Sequence, residues 1–195
     1  LEVPLQQVAG DPAENAAFLA EHGSVVVKPA RGEQGAGISV DVRDPQVLRS
    51  AVKEARTICE TVLLETFHSG DDLRIIVIDH RVVAAAVRKP PVIRGTGQHT
   101  VSQLIDKLSR RRAAATEGES RIPMDAETRR CVEHAGLTMD TILEAGERLT
   151  VRKTANLHTG GTLHDVTDQL SAHLRDVAIT ASRALDIPVV GLDLL

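Results

Sequence analysis

A single lysine stands at the end of an apolar run and directly before a glycine-rich stretch. The apolar run is SVVVKP (24–29), and the glycines that follow are Gly32, Gly35 and Gly37. Glycine lets backbone N–H groups approach and point at phosphate oxygens, where side chains would obstruct. Lys28, held by a strand, would add a positive charge at the same place. The pattern predicts a hairpin loop that covers phosphates, although a flexible surface turn has the same composition.

This loop completes neither of two common phosphate-binding motifs. Gly32 and Gly37 have the separation of a Walker loop, but Ile38 stands where that motif needs lysine. Val40 replaces the third glycine of GxGxxG. The downstream residues therefore matter for the interpretation of the loop.

Two acidic residues follow at positions suited to a nucleoside. Glu65 ends the run TVLLET (61–66), and Asp72 follows seven residues later, beyond Ser69 and Gly70. The end of a strand can offer backbone groups to an adenine edge, and an acid just beyond it can accept hydrogen bonds from ribose hydroxyls. The alternative for Asp72 is an ordinary surface acid in a turn.

The elements that must position these residues are mostly short strands. Runs 24–29 and 37–42 predict two antiparallel strands across the glycine loop. Asp44-Pro45 predicts a helix start, and the apolar face that follows is Val47, Leu48, Ala51, Val52, Ala55 and Ile58. Runs 61–66, 73–79 and 81–87 predict further strands, with a tight turn at Asp79-His80.

The second half of the chain changes character. Residues 98–148 are rich in charge and predict helices, whereas 149–153 predict a strand. A polar loop (154–168), an amphipathic helix beginning near Leu170 and a closing strand (188–195) follow. Together the pattern predicts an α+β protein with mainly antiparallel sheets.

Composition narrows the function classes. Of 195 residues 42% are hydrophobic and 26% charged, and the net charge of −4 disfavours nucleic acid as a main partner. The apolar runs are too short to cross a bilayer, and no signal peptide pattern is present. Two cysteines, Cys59 and Cys131, are typical of a protein of the reducing cytoplasm. Because the chain begins at Leu1 and ends inside an apolar strand pattern, we expect it to be a fragment of a longer protein.

The order of these motifs resembles the ATP-grasp superfamily. The shared features are strand-Lys-Pro, a glycine hairpin, a helix, LLETF (63–67) and G-x-D-x-R (70–74). RGTGQHTVSQLID (94–106), VRKTANLHTGGTLHDVTD (151–168) and DIPVVGLDLL (186–195) resemble the ATP-grasp part of cyanophycin synthetase. The glycine loop and SRRRAAATEGESRIP (109–123) are most similar to N-acetylglutaminylglutamine synthetases. The resemblance covers residues 22–195.

The resemblance implies an ATP-dependent carboxylate–amine ligase that works through an acylphosphate, with ATP and Mg²⁺ as cofactors. It implies a linker or the end of a preceding subdomain (1–21), a nucleotide lobe with the glycine loop (22–80) and an incomplete second lobe (81–195) with a helical insertion at about 98–148. The residues implied to bind ATP are Lys28, Gly32, Gln34, Gly35 and Gly37 at the phosphates, Glu65, Thr66 and Phe67 at the adenine, and Asp72 at the ribose.

The implied catalytic residues are Arg88, at the γ-phosphate or acylphosphate, and Arg152 and Asn156, at the acylphosphate or the acceptor substrate. Asp193 is the implied magnesium ligand. The family's next metal-binding strand lies beyond Leu195, so we expect the fragment itself to be nearly inactive. His158 and His164 are interpreted as polar loop residues, because their spacing is poor for zinc.

Several alternatives stay open. The substrates would be small amino acids or acyl-amino acids, and the product N-acetylglutaminylglutamine, an osmolyte; a cyanophycin-type or glutathione-type ligase is the alternative within the class. A regulatory module that binds ATP without chemistry, or an interaction domain built on 98–148, are the other classes. A homodimer and a preceding acetyltransferase domain are compatible with the sequence, and neither nucleic acid nor a membrane is expected as a partner.

Overall fold

The computed structural model describes residues 3–33 and 35–195, and they form three packed units. The first unit contains β1 (Gln6–Val8), α1 (Pro12–His22), β2 (Val25–Pro29), β3 (Ser39–Val42), α2 (Pro45–Ile58) and β4 (Val62–Thr66). Its four strands form one antiparallel sheet in the order β1-β4-β2-β3. The predicted pairing of the two strands across the glycine loop is confirmed.

Both helices of the first unit begin as their sequences dictate. Asp44 caps α2 by accepting the N–H groups of Gln46 and Val47, and Pro45 occupies the first turn, where its missing N–H costs nothing. Asp11 and Glu14 form a capping box on α1. The helices cover one face of the sheet, and the core between them consists of Phe18, Leu19, Val25, Val27, Leu48, Val52, Ala55, Val62 and Leu64.

The boundaries predicted for the first unit need two corrections. Within residues 1–21, interpreted as a linker or the end of a preceding subdomain, β1 pairs with β4 and α1 packs into the core. The polar Gln6-Gln7 pair hides this strand, because an edge strand buries little of its surface. At the other boundary, the strand beginning at Asp72 pairs within the next sheet, so the first unit ends at β4 and not near residue 80.

The second unit contains β5 (Asp72–Ile78), β6 (Arg81–Lys89), β9 (Thr162–Asp165), a 3₁₀ helix (Thr167–Gln169), α5 (Ala172–Ala184) and β10 (Val189–Leu194). Its antiparallel sheet has the order β10-β5-β6-β9. The predicted turn at Asp79-His80 is confirmed: both residues have positive φ, 51° and 55°, as a two-residue hairpin turn requires. Strand β9 lies in a segment that was predicted as loop; it is an exposed edge strand with polar residues.

The third unit (residues 92–161) contains β7 (Val92–Arg94), α3 (Val101–Ala115), α4 (Ala126–His134), β8 (Arg148–Thr150) and the loop that follows β8. The predicted helices are present, but the unit is more than a helical insertion. Strands β7 and β8 form a two-stranded sheet, and the unit has its own core, formed by Ile93, Val101, Ile105, Ile122, Val132, Leu143, Leu149 and Val151.

No helix in residues 3–33 or 35–195 is long and apolar enough to cross a membrane.

Candidate functional site

The helix-free face of the first sheet carries an ion pair between two predicted site residues. Side chains alternate along a strand, so Val25 and Val27 face the helices while Lys28 lies on the opposite face. The Lys28 Nζ is 2.7 Å from Glu65 Oε2, and the second oxygen of Glu65 accepts a hydrogen bond from Gln6 Nε2 at 2.7 Å. Both side chains are partly exposed. The charge of Lys28 is therefore held in place, next to the strand end predicted to face adenine.

Thr66 and Phe67, which with Glu65 are predicted to face adenine, are held by hydrogen bonds of their backbone N–H groups. Thr66 N–H donates to the carbonyl of Leu5, and Phe67 N–H donates to the carbonyl of Ser24. The Thr66 hydroxyl accepts the Leu5 N–H and lies 3.1 Å from His68 Nε2. These hydrogen bonds fix the position of the segment that connects the first and second units.

The glycine-rich loop has the backbone that only glycine adopts freely. Gly35 and Gly37 have φ values of 77° and 68°. A Cβ added to Gly37 would lie 3.0 Å from Ile58 Cγ1 and 3.2 Å from Pro29 Cγ, so the loop packs closely on the end of α2. Gly32 lies near the same two side chains, and the predicted residue Gln34 lies outside the described residues.

Four charged side chains gather on the helix-free face of the second sheet. Asp72 and Arg88 stand directly opposite each other across β5 and β6, and Arg88 donates to Asp72 Oδ1 from Nη2 at 2.5 Å and from Nε at 3.0 Å. The same Nη2 donates to Asp193 Oδ1 at 3.0 Å, and Arg74 Nη1 lies 3.4 Å from that oxygen. The predicted ribose, phosphate and metal residues thus form one cluster.

Sequence reasoning missed Arg74 in this cluster. Its signal was its spacing: Arg74 lies two residues after Asp72 on the same strand, hence on the same face, and opposite Asp193 in the register of β5 and β10. No group of three or more His, Cys, Asp or Glu side chains that could hold a metal ion occurs among the described residues.

Arg152 lies apart from the cluster. Its side chain is 1% exposed, and Nη1 donates to Asp125 Oδ1 at 2.6 Å and to Thr128 Oγ1 at 2.8 Å. Asp125 also caps α4. Arg152 therefore holds the start of α4 against β8, and its guanidinium is not presented to the surface; its Nε is a buried donor that finds no partner among the described residues.

Asn156 lies against the glycine-rich loop. A Cβ added to Gly35 would be 3.7 Å from Asn156 Nδ2. The Asn156 side chain accepts the N–H of His158, and its carbonyl accepts the N–H of Gly161. The structure therefore brings the tip of the loop and this predicted acceptor residue together.

The segment around Asn156 (154–161) is anchored to the third unit. Ser120 Oγ donates to the carbonyl of Leu157 at 2.6 Å, and Arg112 Nη1 donates to the carbonyl of Gly161 at 3.0 Å. Burial lowers the pKa of Arg112, which still remains a cation at neutral pH. Arg112 is the last of three consecutive arginines (110–112), and its hydrogen bond to Gly161 fixes this segment.

A polar interface joins the first and third units. Asp41 of β3 ion-pairs with Lys153, and Arg130 of α4 ion-pairs with Glu127 at 2.7 Å while donating to the carbonyl of Val40 at 2.5 Å. Burial alone would raise the pKa of Asp41, but hydrogen bonds from Lys153, Ser24 and Arg43 outweigh it and hold that pKa far below its usual range. None of these residues was singled out from the sequence.

Beside this interface a cavity of ≈ 300 Å³ separates α2 from the start of α4. Its lining includes Ile38, Val47, Ala51, Glu54 and Ala126. Cys131 lies behind the interface, buried against Glu127. Burial first, and the Glu127 carboxylate second, raise the pKa of the Cys131 thiol to about 11, so the thiol stays protonated at neutral pH.

Two structural comparisons agree on the fold. The whole chain superposes on part of a bifunctional glutathione synthetase from Pasteurella multocida, with a TM-score of 0.53, 22% identity and coverage of 27% of that chain. It also superposes on a D-alanine–D-alanine ligase from Bacillus anthracis, with a TM-score of 0.53, 13% identity and coverage of 47% of that chain. The mixed α+β architecture with antiparallel sheets is the ATP-grasp fold, as predicted.

Sequence comparisons give a more specific resemblance than the structural comparisons do. Residues 1–91 match the family model of the RimK-like ATP-grasp domain. The chain is 31% identical over 174 residues to cyanophycin synthetase from Nostoc sp. (strain PCC 7120), covering 88% of this chain and 19% of that protein. It is 30% identical over 185 residues to the glutathione biosynthesis bifunctional protein GshAB from Listeria innocua, covering 91% of this chain and 24% of that protein.

Residues 1–91 thus resemble the RimK-like ATP-grasp domain, and about nine tenths of the chain is similar in sequence to parts of cyanophycin synthetase and of a bifunctional glutathione biosynthesis protein. It spans about a fifth to a quarter of the length of the curated relatives it matches.

Proposed function

We propose that this chain is the ATP-binding part of a ligase that joins a carboxylate to an amine through an acylphosphate. The observation that carries the proposal is the cluster of Asp72, Arg88 and Asp193, which places two acids and one arginine on one helix-free sheet face. The homology to synthetases of amino-acid products supports the same reaction class.

The charged residues of the two sheet faces fit the phosphates of ATP, and Asp193 could supply one ligand to Mg²⁺. Lys28, Arg74 and Arg88 supply positive charge on the helix-free faces of the two sheets, as triphosphate binding requires. Asp193 supplies the kind of oxygen that Mg²⁺ prefers, and Asp72 lies beside the same guanidinium. Asp193 would hold Mg²⁺, which would supply positive charge that offsets the charge of the ATP phosphates.

The proposed roles of the chain's own residues follow from where they lie. Lys28 holds a positive charge on a strand directly before the glycine-rich loop, whose backbone N–H groups can approach phosphate oxygens. Glu65, Thr66 and Phe67 lie at the strand end that would face adenine. Arg88 offers a planar fork of donors, which matches a tetrahedral phosphoryl group or an acylphosphate.

The proposed roles of Asp72 and Asn156 rest on different contacts. Asp72 is already bound to Arg88, so we propose that it orients that arginine as well as accepting from ribose. Asn156 lies at Gly35 and would contact a ligand under the loop. For Arg152 the burial and the ion pair with Asp125 support a structural role, in which it positions the loop that carries Asn156.

The proposal for the substrates is more specific than the proposal for the reaction class. The glycine loop and segment 109–123 support N-acetylglutaminylglutamine synthesis, with an acetyltransferase domain elsewhere in the full-length protein. The names of the matched relatives instead favour an amino-acid ligase of the cyanophycin or glutathione type. Both proposals share an acyl phosphate attacked by an amine, so the reaction class can be tested first.

Thermal unfolding with and without Mg-ATP, followed by calorimetry, tests nucleotide binding. At a hundredfold excess over Kd, binding should stabilise the folded chain by about 2.7 kcal/mol. Lys28→Ala should abolish the rise in midpoint, whereas Lys53→Ala, at an exposed position on α2, should retain it. An unchanged midpoint for the wild-type chain contradicts the proposed binding.

Trapping with hydroxylamine tests the chemistry in the full-length protein. An acylphosphate reacts with hydroxylamine to give a hydroxamate, which should form only when ATP and a carboxylate substrate are both present. Glutamine, N-acetylglutamine, aspartate, arginine and γ-glutamylcysteine form the first panel of substrates. ATP binding without phosphate release on any carboxylate of a broad panel would favour a regulatory module and contradict the ligase proposal.

A further inference from the structure

Strand β3 contains a bulge immediately after the glycine-rich loop. One residue of β2, Val26, stands opposite two residues of β3, Val40 and Asp41. The register pairs on either side are Val25–Val42 and Val27–Ser39. Asp41 has a φ of 58°, in the left-handed region that aspartate tolerates better than most residues. A bulge of this kind bends the strand and redirects its side chains.

The redirected side chain of Asp41 contacts the third unit. Its carboxylate is buried and accepts hydrogen bonds from Ser24 Oγ at 2.6 Å and Arg43 Nε at 2.7 Å, both within the first unit. The other oxygen ion-pairs with Lys153, which follows β8 in the third unit. Asp41 is therefore a buried link between the units, three residues from the end of the glycine-rich loop.

The bulge also exposes backbone groups to α4. The carbonyl of Val40 accepts from Arg130 Nη2, and the N–H of Val40 donates to Glu127 Oε1 at 3.4 Å. Glu127 and Arg130 also bind each other, so neither is left as a lone buried charge.

Lys153 and Asn156 are three residues apart in the segment after β8. One contacts strand β3 and the other contacts the glycine-rich loop that precedes β3. Lys153 binds the strand that leaves the loop, while Asn156 lies against Gly35 inside the loop. We propose that Asp41 is a positioning residue, which, by holding Lys153, sets the placement of Asn156 against the glycine-rich loop and so the closure of that loop over nucleotide. The closure part rests on the proposed function.

Hydrogen exchange of the nucleotide-free chain tests the link without any assay of activity. Loop amides exchange by local opening, whereas core amides exchange by larger unfolding, so a local effect can be separated from lost stability. Lys153→Met should speed exchange in residues 31–38 and 153–161 by about tenfold, within the range for residues in direct contact. Lys153→Arg, which keeps the charge, should restore most of the protection.

A matched control removes a different donor to the same carboxylate. Arg43→Met deletes one hydrogen bond to Asp41 without touching the third unit, and it should leave exchange in 31–38 unchanged. Asp41→Asn combined with Lys153→Met should give no larger effect than either change alone. Unchanged exchange in 31–38 for Lys153→Met, or equal effects of Lys153→Met and Arg43→Met, overturns the proposal.

Nucleotide affinity gives the second readout. Calorimetric titration with Mg-ATP should show about tenfold weaker binding for Lys153→Met and near wild-type binding for Lys153→Arg. Wild-type affinity in Lys153→Met would overturn the closure part of the proposal. If the wild-type chain binds no nucleotide, the proposed function fails by itself, while the exchange result still decides whether Asp41 positions the loop.

Discussion

Asp72 and Arg88 face each other in register across β5 and β6, and two nitrogens of the arginine bond one oxygen of the acid. The pair is fixed by the hairpin between these strands, because a shift of one residue would move both side chains to the opposite face of the sheet. Asp193 on β10 accepts a hydrogen bond from the same guanidinium, so side chains from β5, β6 and β10 meet at Arg88. This convergence makes Arg88 the first residue to test.

Removal of Arg88 should affect activity far more than stability. Arg88→Ala deletes the donors proposed to face the developing charge, and we expect a loss of about a hundredfold or more in kcat for the full-length ligase. The free energy of unfolding should fall by about 1 kcal/mol or less, because the ion pairs are partly exposed. Arg74→Ala is the control, with less than tenfold loss; equal losses for both variants would contradict the role of Arg88.

Arg152 should behave in the opposite way. Arg152→Met removes a fully buried guanidinium from Asp125 and Thr128, and should lower the free energy of unfolding by about 2–4 kcal/mol, measured in urea. Asp125→Asn, which keeps an oxygen to cap α4, should cost less. Near wild-type stability of Arg152→Met together with lost ligase activity would instead assign Arg152 to the acylphosphate.

Gly160 offers a steric prediction with a matched control. Its φ is 93°, and an added Cβ would lie 2.4 Å from Ile122 Cγ1. Gly118 has a φ of 95° and no atom within 4 Å of the same position. Gly118→Ala should therefore cost only the backbone strain, about 1 kcal/mol, and Gly160→Ala about 2–4 kcal/mol. Equal thermal shifts for the two variants would show that the 154–161 segment has room to move.

The lowered pKa of Asp41 predicts how the free energy of unfolding changes at acidic pH. Its pKa lies below the usual 3.8, so its contribution is complete above about pH 4 and is lost as pH falls further, because the unfolded state takes up the proton first. Asp41→Asn should be about 2 kcal/mol less stable than wild type at pH 7. The difference in unfolding free energy should narrow below pH 4. A difference that stays constant down to pH 2.5 would show that Asp41 is not held as an anion.

Local signals were enough to predict several elements and some of the site. The Asp44-Pro45 start of α2, the Asp79-His80 turn and the hairpin around the glycine loop follow from residue types with marked local conformational preferences. The ATP-grasp fold followed from the order of several such motifs. Strand β1 was missed because its pairing partner lies 55 or more positions away and its residues are mostly polar.

The alternation of β3 determined which residues could share a face, but not the bulge that redirects Asp41. The residues at that bulge contact Lys153, Arg130 and Glu127, which are distant in sequence and contribute no local signal. Arg152 shows the same limit: the resemblance of its motif implied a cation at the acylphosphate or the acceptor substrate, whereas packing against α4 buries its side chain. The sequence by itself determined most of the strands and the turn at Asp79-His80, because these depend on residues close together in the chain; it did not determine the polar edge strands β1 and β9. Only the tertiary structure decided which charges meet, because ion pairs form between side chains that the fold brings together.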